Sequence, residues 1–141
     1  MTRIMFICTG NTCRSPMAEG LFREMLKAQK IKKVICESAG TSAYAGDEAE
    51  PNAVKAAKEL GADISAHRSR PYNPYMADDT DLFVCMTPSH AAQLAGVPAE
   101  KIVILAGGIP DPYSGDIQEY RECAKKISEG LEELLKSVLS L

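Results

Sequence analysis

No stretch of this 141-residue sequence is apolar and long enough to span a membrane, and its N-terminus lacks the hydrophobic core of a signal peptide. A cytoplasmic protein without membrane association is the expectation. The net charge of −3 argues against a general nucleic-acid binder. The commonest phosphate loop needs a closing Gly-Lys-Ser/Thr, which the chain does not contain. Its five cysteines show no Cys-x-x-Cys pair, so structural zinc is not indicated. Nor do they form a disulfide framework, which suggests a reducing compartment. Linkers, repeats and low-complexity segments are missing too. Residues 1–141 therefore read as one domain, large enough for a full hydrophobic core. The 45% hydrophobic and 25% charged content is ordinary for a soluble globular protein.

The chemistry is concentrated in Cys8-Thr9-Gly10-Asn11-Thr12-Cys13-Arg14-Ser15, directly after the apolar run 3–7 and just before Pro16. A strand delivers a thiol to its C-terminal end, a tight turn follows, and a helix starts at once. Backbone N–H groups of such a loop converge on one point, where they hold a phosphate. The same positive end favours a thiolate over a thiol. Arg14 adds a planar fork able to grip two phosphate oxygens. Asn11 tolerates a left-handed backbone and so can turn the loop amides inward. Gly10 places no side chain over the phosphate. Ser15 has two available tasks, donating to the Cys8 sulfur or capping the helix before Pro16. Together these residues describe a cysteine-dependent phosphatase site.

Apolar runs alternate with helical patterns along the rest of the chain. Strands are expected at Ile4–Cys8, Val34–Ser38, Leu82–Met86 and Ile102–Leu105. The first, third and fourth are nearly continuous apolar runs, the pattern of strands buried on both faces. Helices are expected from Pro16 to about Gln29, from Pro51 to Leu60 with Gly61 as the stop, from Pro88 to Ala95, and from about Ile117 toward Leu139. In the last, Tyr120, Ala124, Ile127, Leu131, Leu134 and Val138 fall on one face. The architecture is an α/β three-layer sandwich around a four-stranded parallel sheet, with ligands outside the carboxyl ends of the strands. Cys8 falls at that edge.

A phosphatase of this kind needs a proton donor for the leaving group. Asp111, in Ile109-Pro110-Asp111-Pro112-Tyr113, follows the fourth strand and should overhang the edge that carries Cys8. The flanking prolines stiffen its loop. A plain Asp-Pro turn is the alternative. Rival carboxylates lie in 47–48 and 78–81, but Asp81 enters the third strand from the wrong end of the sheet.

Cys-x5-Arg-Ser near the N-terminus, Ser-Pro-Met-Ala-Glu opening the first helix, Glu-Ser-Ala-Gly-Thr after the second strand, and Asp-Pro-Tyr late in the chain resemble the low-molecular-weight protein tyrosine phosphatases. The likeness runs through essentially the whole chain, in order and spacing. It implies strand order 2-1-3-4 with helices on both faces, and a two-step reaction without metal or cofactor. The Cys8 thiolate would attack phosphorus while Asp111 protonates the leaving atom; water activated by Asp111 would then hydrolyse the phosphocysteine. Phosphorylated proteins would be the substrates and inorganic phosphate the product. The resemblance also implies that Ser38 hydrogen-bonds Asn11 and that His67 supports the loop from behind. Cys13 would trap an oxidised Cys8 as a reversible disulfide, the alternative being a buried spectator thiol. Cys36, Cys85 and Cys123 are most simply core, and His90 receives no role.

Substrate class divides two readings. Tyr44 and Tyr113 align with aromatic positions that wall the family's pocket, which favours phosphotyrosine, the working assignment. Many tyrosine-specific members carry Ile where this loop has Thr12, and Thr there resembles the bacterial branch acting on phosphoarginine. A hydroxyl can pair with guanidinium N–H groups that a branched alkyl leaves unpaired. Two other classes share features of the site. Arsenate reductases need further accessible cysteines, whereas Cys85 lies in an apolar run. A phosphocarrier domain of a sugar uptake system would need neither Arg14 nor Asp111.

If Asp111 is the acid, Asp111→Asn should lose about two to four orders of magnitude in rate on substrates with poor leaving groups. The loss should be smaller on p-nitrophenyl phosphate, whose leaving group needs less protonation. Equal losses on both would assign Asp111 to structure.

Overall fold

The structure, a computed structural model, describes residues 1–112 and 114–140. Tyr113, one of the two aromatic residues expected at the pocket, lies outside the described residues. Four strands, β1 (Thr2–Cys8), β2 (Val34–Gly40), β3 (Leu82–Cys85) and β4 (Ile102–Ile104), form one sheet in the order β2-β1-β3-β4. All three pairings are parallel. Around it lie α1 (Arg14–Ala28), α2 (Pro51–Glu59), α3 (Met76–Asp79), α4 (Pro88–Ala92) and α5 (Ile117–Leu139). The sheet order and the three layers are those expected from the sequence.

Alternation along β1 divides the core. Ile4, Phe6 and Cys8 pack with α1, α2 and α5, and Met5 and Ile7 pack on the other face with residues of α3 and α4. On α5 the expected apolar face is buried in full, joined by Cys123 and Gly130. Gly61, at φ +96°, follows the end of α2 as a left-handed stop. The short α3 was not expected. It arises where the 73–76 turn winds one helical turn before Thr80, whose hydroxyl bonds the Met76 carbonyl. One expectation fails. β4 is not buried on both faces, because it forms the sheet edge, and Val103 is 38% exposed. An apolar Ile-Val-Ile run is the pattern of a strand covered on both faces. Ile102 and Ile104 pack on the face shared with Met5 and Ile7, while Val103, on the opposite face, reaches solvent.

The parallel register sets the site. Cys8, the last residue of β1, pairs with Gly40, the last of β2. The Thr41 and Ser42 amides then donate to the carbonyls of Cys8 and Thr9, both at 2.9 Å. Gly40 in turn bonds residues on both sides of Pro71, donating to the Arg70 carbonyl and accepting from the Tyr72 amide. A Cβ on Gly40 would press into the Thr9 carbonyl oxygen and stand 3.0 Å from the Asn11 amide. The Gly in the Glu-Ser-Ala-Gly-Thr motif is therefore a close-approach glycine. Gly40→Ala should destabilise the fold by about 1–3 kcal/mol, the usual cost of overpacking. It should also lower phosphatase activity, because the displaced atoms belong to the loop. Denaturant unfolding and a p-nitrophenyl phosphate assay check both; an unchanged midpoint would show that the loop can yield.

Candidate active site

The turn from β1 into α1 carries Thr9 to Cys13 between the strand's last residue and the helix's first. Asn11 stands at φ +57° and is fully buried. Its side-chain amide nitrogen donates to Ser15 Oγ at 2.8 Å and to Ser38 Oγ at 3.0 Å, and its Oδ1 accepts from the Arg70 amide at 3.0 Å. Its carbonyl lies 2.8 Å from His67 Nε2. A carbonyl only accepts, so that ring nitrogen carries a hydrogen.

Proton direction follows from these partners. Ser15 Oγ accepts from Asn11, leaving its own hydrogen for Cys8 Sγ, 2.9 Å away. Ser38 likewise accepts from Asn11 and donates to Glu19 Oε1 at 2.5 Å. The capping alternative for Ser15 falls. The helix begins one residue earlier, at Arg14, and Cys13 is the N-cap without a side-chain cap bond. Ser15 is completely buried and turned toward the thiol.

Arg14 is only 4% exposed. One of its terminal nitrogens donates to the Ile109 carbonyl at 3.0 Å. The other lies 3.5 Å from Thr9 Oγ and 3.7 Å from Asp111 Oδ2. Its Nε is buried without a protein partner. A guanidinium so placed is costly unless an anion meets it. A phosphate held by the loop is such an anion. The stiff 110–112 loop thus brings Asp111, half-exposed, to the strand edge that carries Cys8.

Beside the loop lies a cleft of about 640 Å³ lined by Gly10, Thr12, Ser42, Tyr44, Asp47, Glu48 and Glu50. Tyr44 stands on its rim, 80% exposed. A Cβ on Gly10 would have Thr12 Oγ as its nearest neighbour, at 3.6 Å, so the two residues flank one opening. Burial pushes the Cys13 thiol up to about 11, aided by the nearby Cys8 and Asp111. Cys36, Cys85 and Cys123 are buried, and desolvation pushes each up to about 12. Cys85, with no exposed surface, has no access to a redox partner. Among the described residues, no group of three or more His, Cys, Asp or Glu side chains is placed to hold a metal ion.

His90, left without a role by the sequence, is drawn into the site. It is 2% exposed, with Nε2 2.9 Å from Thr9 Oγ and Nδ1 3.1 Å from the Thr87 amide. Burial chiefly, and then Arg14, pushes it down to about 4, with Asp111 opposing. The readable signal was Thr87-Pro88-Ser89-His90, a capping box with His in the place of Glu, directly behind the third strand.

Residues 3–140 match the model of the low molecular weight phosphotyrosine protein phosphatases. A protein-arginine-phosphatase of Bacillus subtilis is 34% identical over 145 residues, covering 96% of this chain and 95% of that protein. A low molecular weight protein tyrosine phosphatase of T. tengcongensis superposes with a TM-score of 0.90 at 35% identity, over 97% of this chain and 99% of the other. A mutant of the YwlE arginine phosphatase bearing a phosphorylated active-site serine superposes at 0.89 and 32% identity, over 97% and 95%. With the thiol, loop and buried arginine already in position, the chain belongs to the low molecular weight phosphotyrosine protein phosphatase family and is a cysteine-dependent protein phosphatase.

Proposed function

We propose that this phosphatase hydrolyses phosphoarginine in proteins, and that residues 1–141 make up one catalytic domain. The observation that carries the substrate reading is the cleft beside the phosphate loop, which Gly10 and Thr12 line. Its wall offers the Thr12 hydroxyl and the carboxylates of Asp47, Glu48 and Glu50. A guanidinium brings several N–H donors and no acceptor, so acceptors in the wall are what it requires. Asp47 and Glu48 are exposed, and Glu48 also lies 3.5 Å from the Arg68 guanidinium. A phenyl ring would leave these carboxylates to water and to that arginine and gain nothing from them. The likeness to the B. subtilis protein-arginine-phosphatase supports the same reading. Phosphotyrosine is the second reading, favoured by the exposed ring of Tyr44 on the rim.

In this reading Cys8 attacks phosphorus in line and a phosphocysteine forms. Asp111 donates its proton to the leaving nitrogen or oxygen, then takes one from the water that releases phosphate. Arg14 and the loop amides at residues 9–13 hold the equatorial oxygens, more tightly as charge develops. Ser15 donates to the Cys8 sulfur and stabilises it as the leaving group of the second step. Ser38 and His67 hold Asn11 in its left-handed turn. Cys13 is proposed as the resolving thiol: it attacks the sulfenic acid of an oxidised Cys8, giving a disulfide and water. The protein would work in the cytoplasm, on phosphorylated proteins, without nucleic-acid or membrane partners.

Two measurements test the proposal. Turnover of p-nitrophenyl phosphate should be unaffected by EDTA and abolished by Cys8→Ser, which sets hydrolysis apart from arsenate reduction and phosphoryl carriage. The substrate class is tested by kcat/KM on a phosphoarginine and a phosphotyrosine peptide, for the parent and Thr12→Ile. The parent should prefer phosphoarginine, and the variant should shift the ratio toward phosphotyrosine by about 1–3 kcal/mol, the cost of a polar group left unpaired. A parent preference for phosphotyrosine with an unmoved ratio would overturn the phosphoarginine reading.

A further inference from the structure

We propose that His90 is a positioning residue for the phosphate-binding arginine, acting through Thr9. Three observations carry it. The Thr87 amide, a donor only, points at His90 Nδ1 from 3.1 Å, and the Thr87 hydroxyl lies 3.0 Å from the same nitrogen. Nδ1 therefore accepts and bears no hydrogen, so a neutral His90 carries its hydrogen on Nε2. That nitrogen lies 2.9 Å from Thr9 Oγ, which fixes the sense of the bond: His90 donates and Thr9 accepts. Thr9 Oγ is in turn 3.5 Å from the Arg14 terminal nitrogen, a donor. The Thr9 oxygen thus stands as an acceptor between two donors, one from each side of the sheet edge.

The neutral form is the one the surroundings select. His90 is buried, Arg14 faces it as a cation, and burial pushes it down to about 4 against the opposing pull of Asp111. The consequence falls on Arg14, whose guanidinium has few other anchors. The Ile109 carbonyl holds one terminal nitrogen, Asp111 is 3.7 Å from the other, and Nε has no protein partner. Fixing the Thr9 hydroxyl sets the rotation of the guanidinium plane, and with it the angle at which its N–H groups meet the equatorial oxygens. A small error there costs more in the transition state than in the bound substrate, because charge on those oxygens grows during transfer.

His90 also caps α4, so the test must separate the two bonds. In His90→Asn the side-chain oxygen replaces Nδ1, keeping the cap from Thr87 and removing the donor to Thr9. In His90→Gln the amide reaches the Nε2 position, restoring that donor at the expense of the cap. On p-nitrophenyl phosphate, His90→Asn should lower kcat about tenfold, the scale of one hydrogen bond, with KM changed less than about twofold and little loss of thermal stability. His90→Gln should recover most of kcat while melting lower. A His90→Asn variant with parental kcat, or losses in both variants that track melting temperature, would overturn the inference. Should His90→Asn not fold, Thr9→Val carries the test, since it removes the acceptor and leaves the cap intact. It should reproduce the fall in kcat, whereas parental kcat in Thr9→Val would overturn the inference. The proposal rests on the phosphatase chemistry of Cys8. Parent enzyme inactive on p-nitrophenyl phosphate would fail that chemistry, whereas an active parent with unaffected variants would fail only His90.

Discussion

A single non-glycine residue in the left-handed region sets the geometry of the phosphate loop. Asn11, at φ +57°, costs roughly 1–2 kcal/mol relative to a right-handed turn, so it persists only where its surroundings hold it. The holding groups come from four places: Ser15 on α1, Ser38 on β2, the Arg70 amide, and His67. Every hydrogen-bonding position of the Asn11 side chain except one lone pair is used. Asp could not donate to both serines, and Gly could not reach them at all. The loop is thereby tied to three other segments of the chain, and its amides are oriented within the protein itself. Electrostatic catalysis depends on that, because donors already aimed need no reorganisation during transfer.

The network at Asn11 reaches the sulfur by one side of the loop. From Glu19 through Ser38, Asn11 and Ser15 to Cys8, each hydroxyl accepts from Asn11, which leaves its hydrogen for the next partner outward. The opposite side is organised by Arg14, supported by Thr9, which meets His90 of α4 after β3, and by the Ile109 carbonyl after β4. Parallel strands make this division possible. All four end on one edge, so segments distant in sequence converge there without crossing the core. The nucleophile and the arginine, six residues apart, are consequently steadied by separate sets of neighbours.

The contiguous part of the site was legible because a strand, a thiol, a turn and a helix start follow one another within one short segment. Their order alone fixes where the thiol and the arginine lie. The alternation of apolar runs likewise gave the sheet and the buried face of α5. What remained hidden was whatever depends on which segments meet. His90 looks like any residue of a short helix until β3 delivers it beneath Thr9. The exposure of Val103 depends on β4 lying outermost, which its apolar composition does not reveal. The Gly40 approach to Thr9 is a fact of register between β1 and β2. The helix-cap alternative for Ser15 was open in sequence because a hydroxyl before Pro suits either use; the helix starting at Arg14 removed it.

Arg14 shows how the fold divides its free energy between stability and chemistry. A buried guanidinium with an unpaired Nε lowers the stability of the protein taken alone. Hydrophobic packing of β1 against α1, α2 and α5 offsets that cost, since the residues on either side of the loop are among the most deeply buried in the chain. An anion in the loop would relieve the penalty, so part of the stability forgone in the free protein returns as affinity for phosphate. Affinity alone would not accelerate transfer. The gain in rate requires the same donors to meet the equatorial oxygens better as their charge grows, which depends on direction more than on distance. That is why the fixed neighbours of Arg14 matter: the Ile109 carbonyl and the Thr9 hydroxyl set direction, and the developing charge on the substrate then supplies the energy.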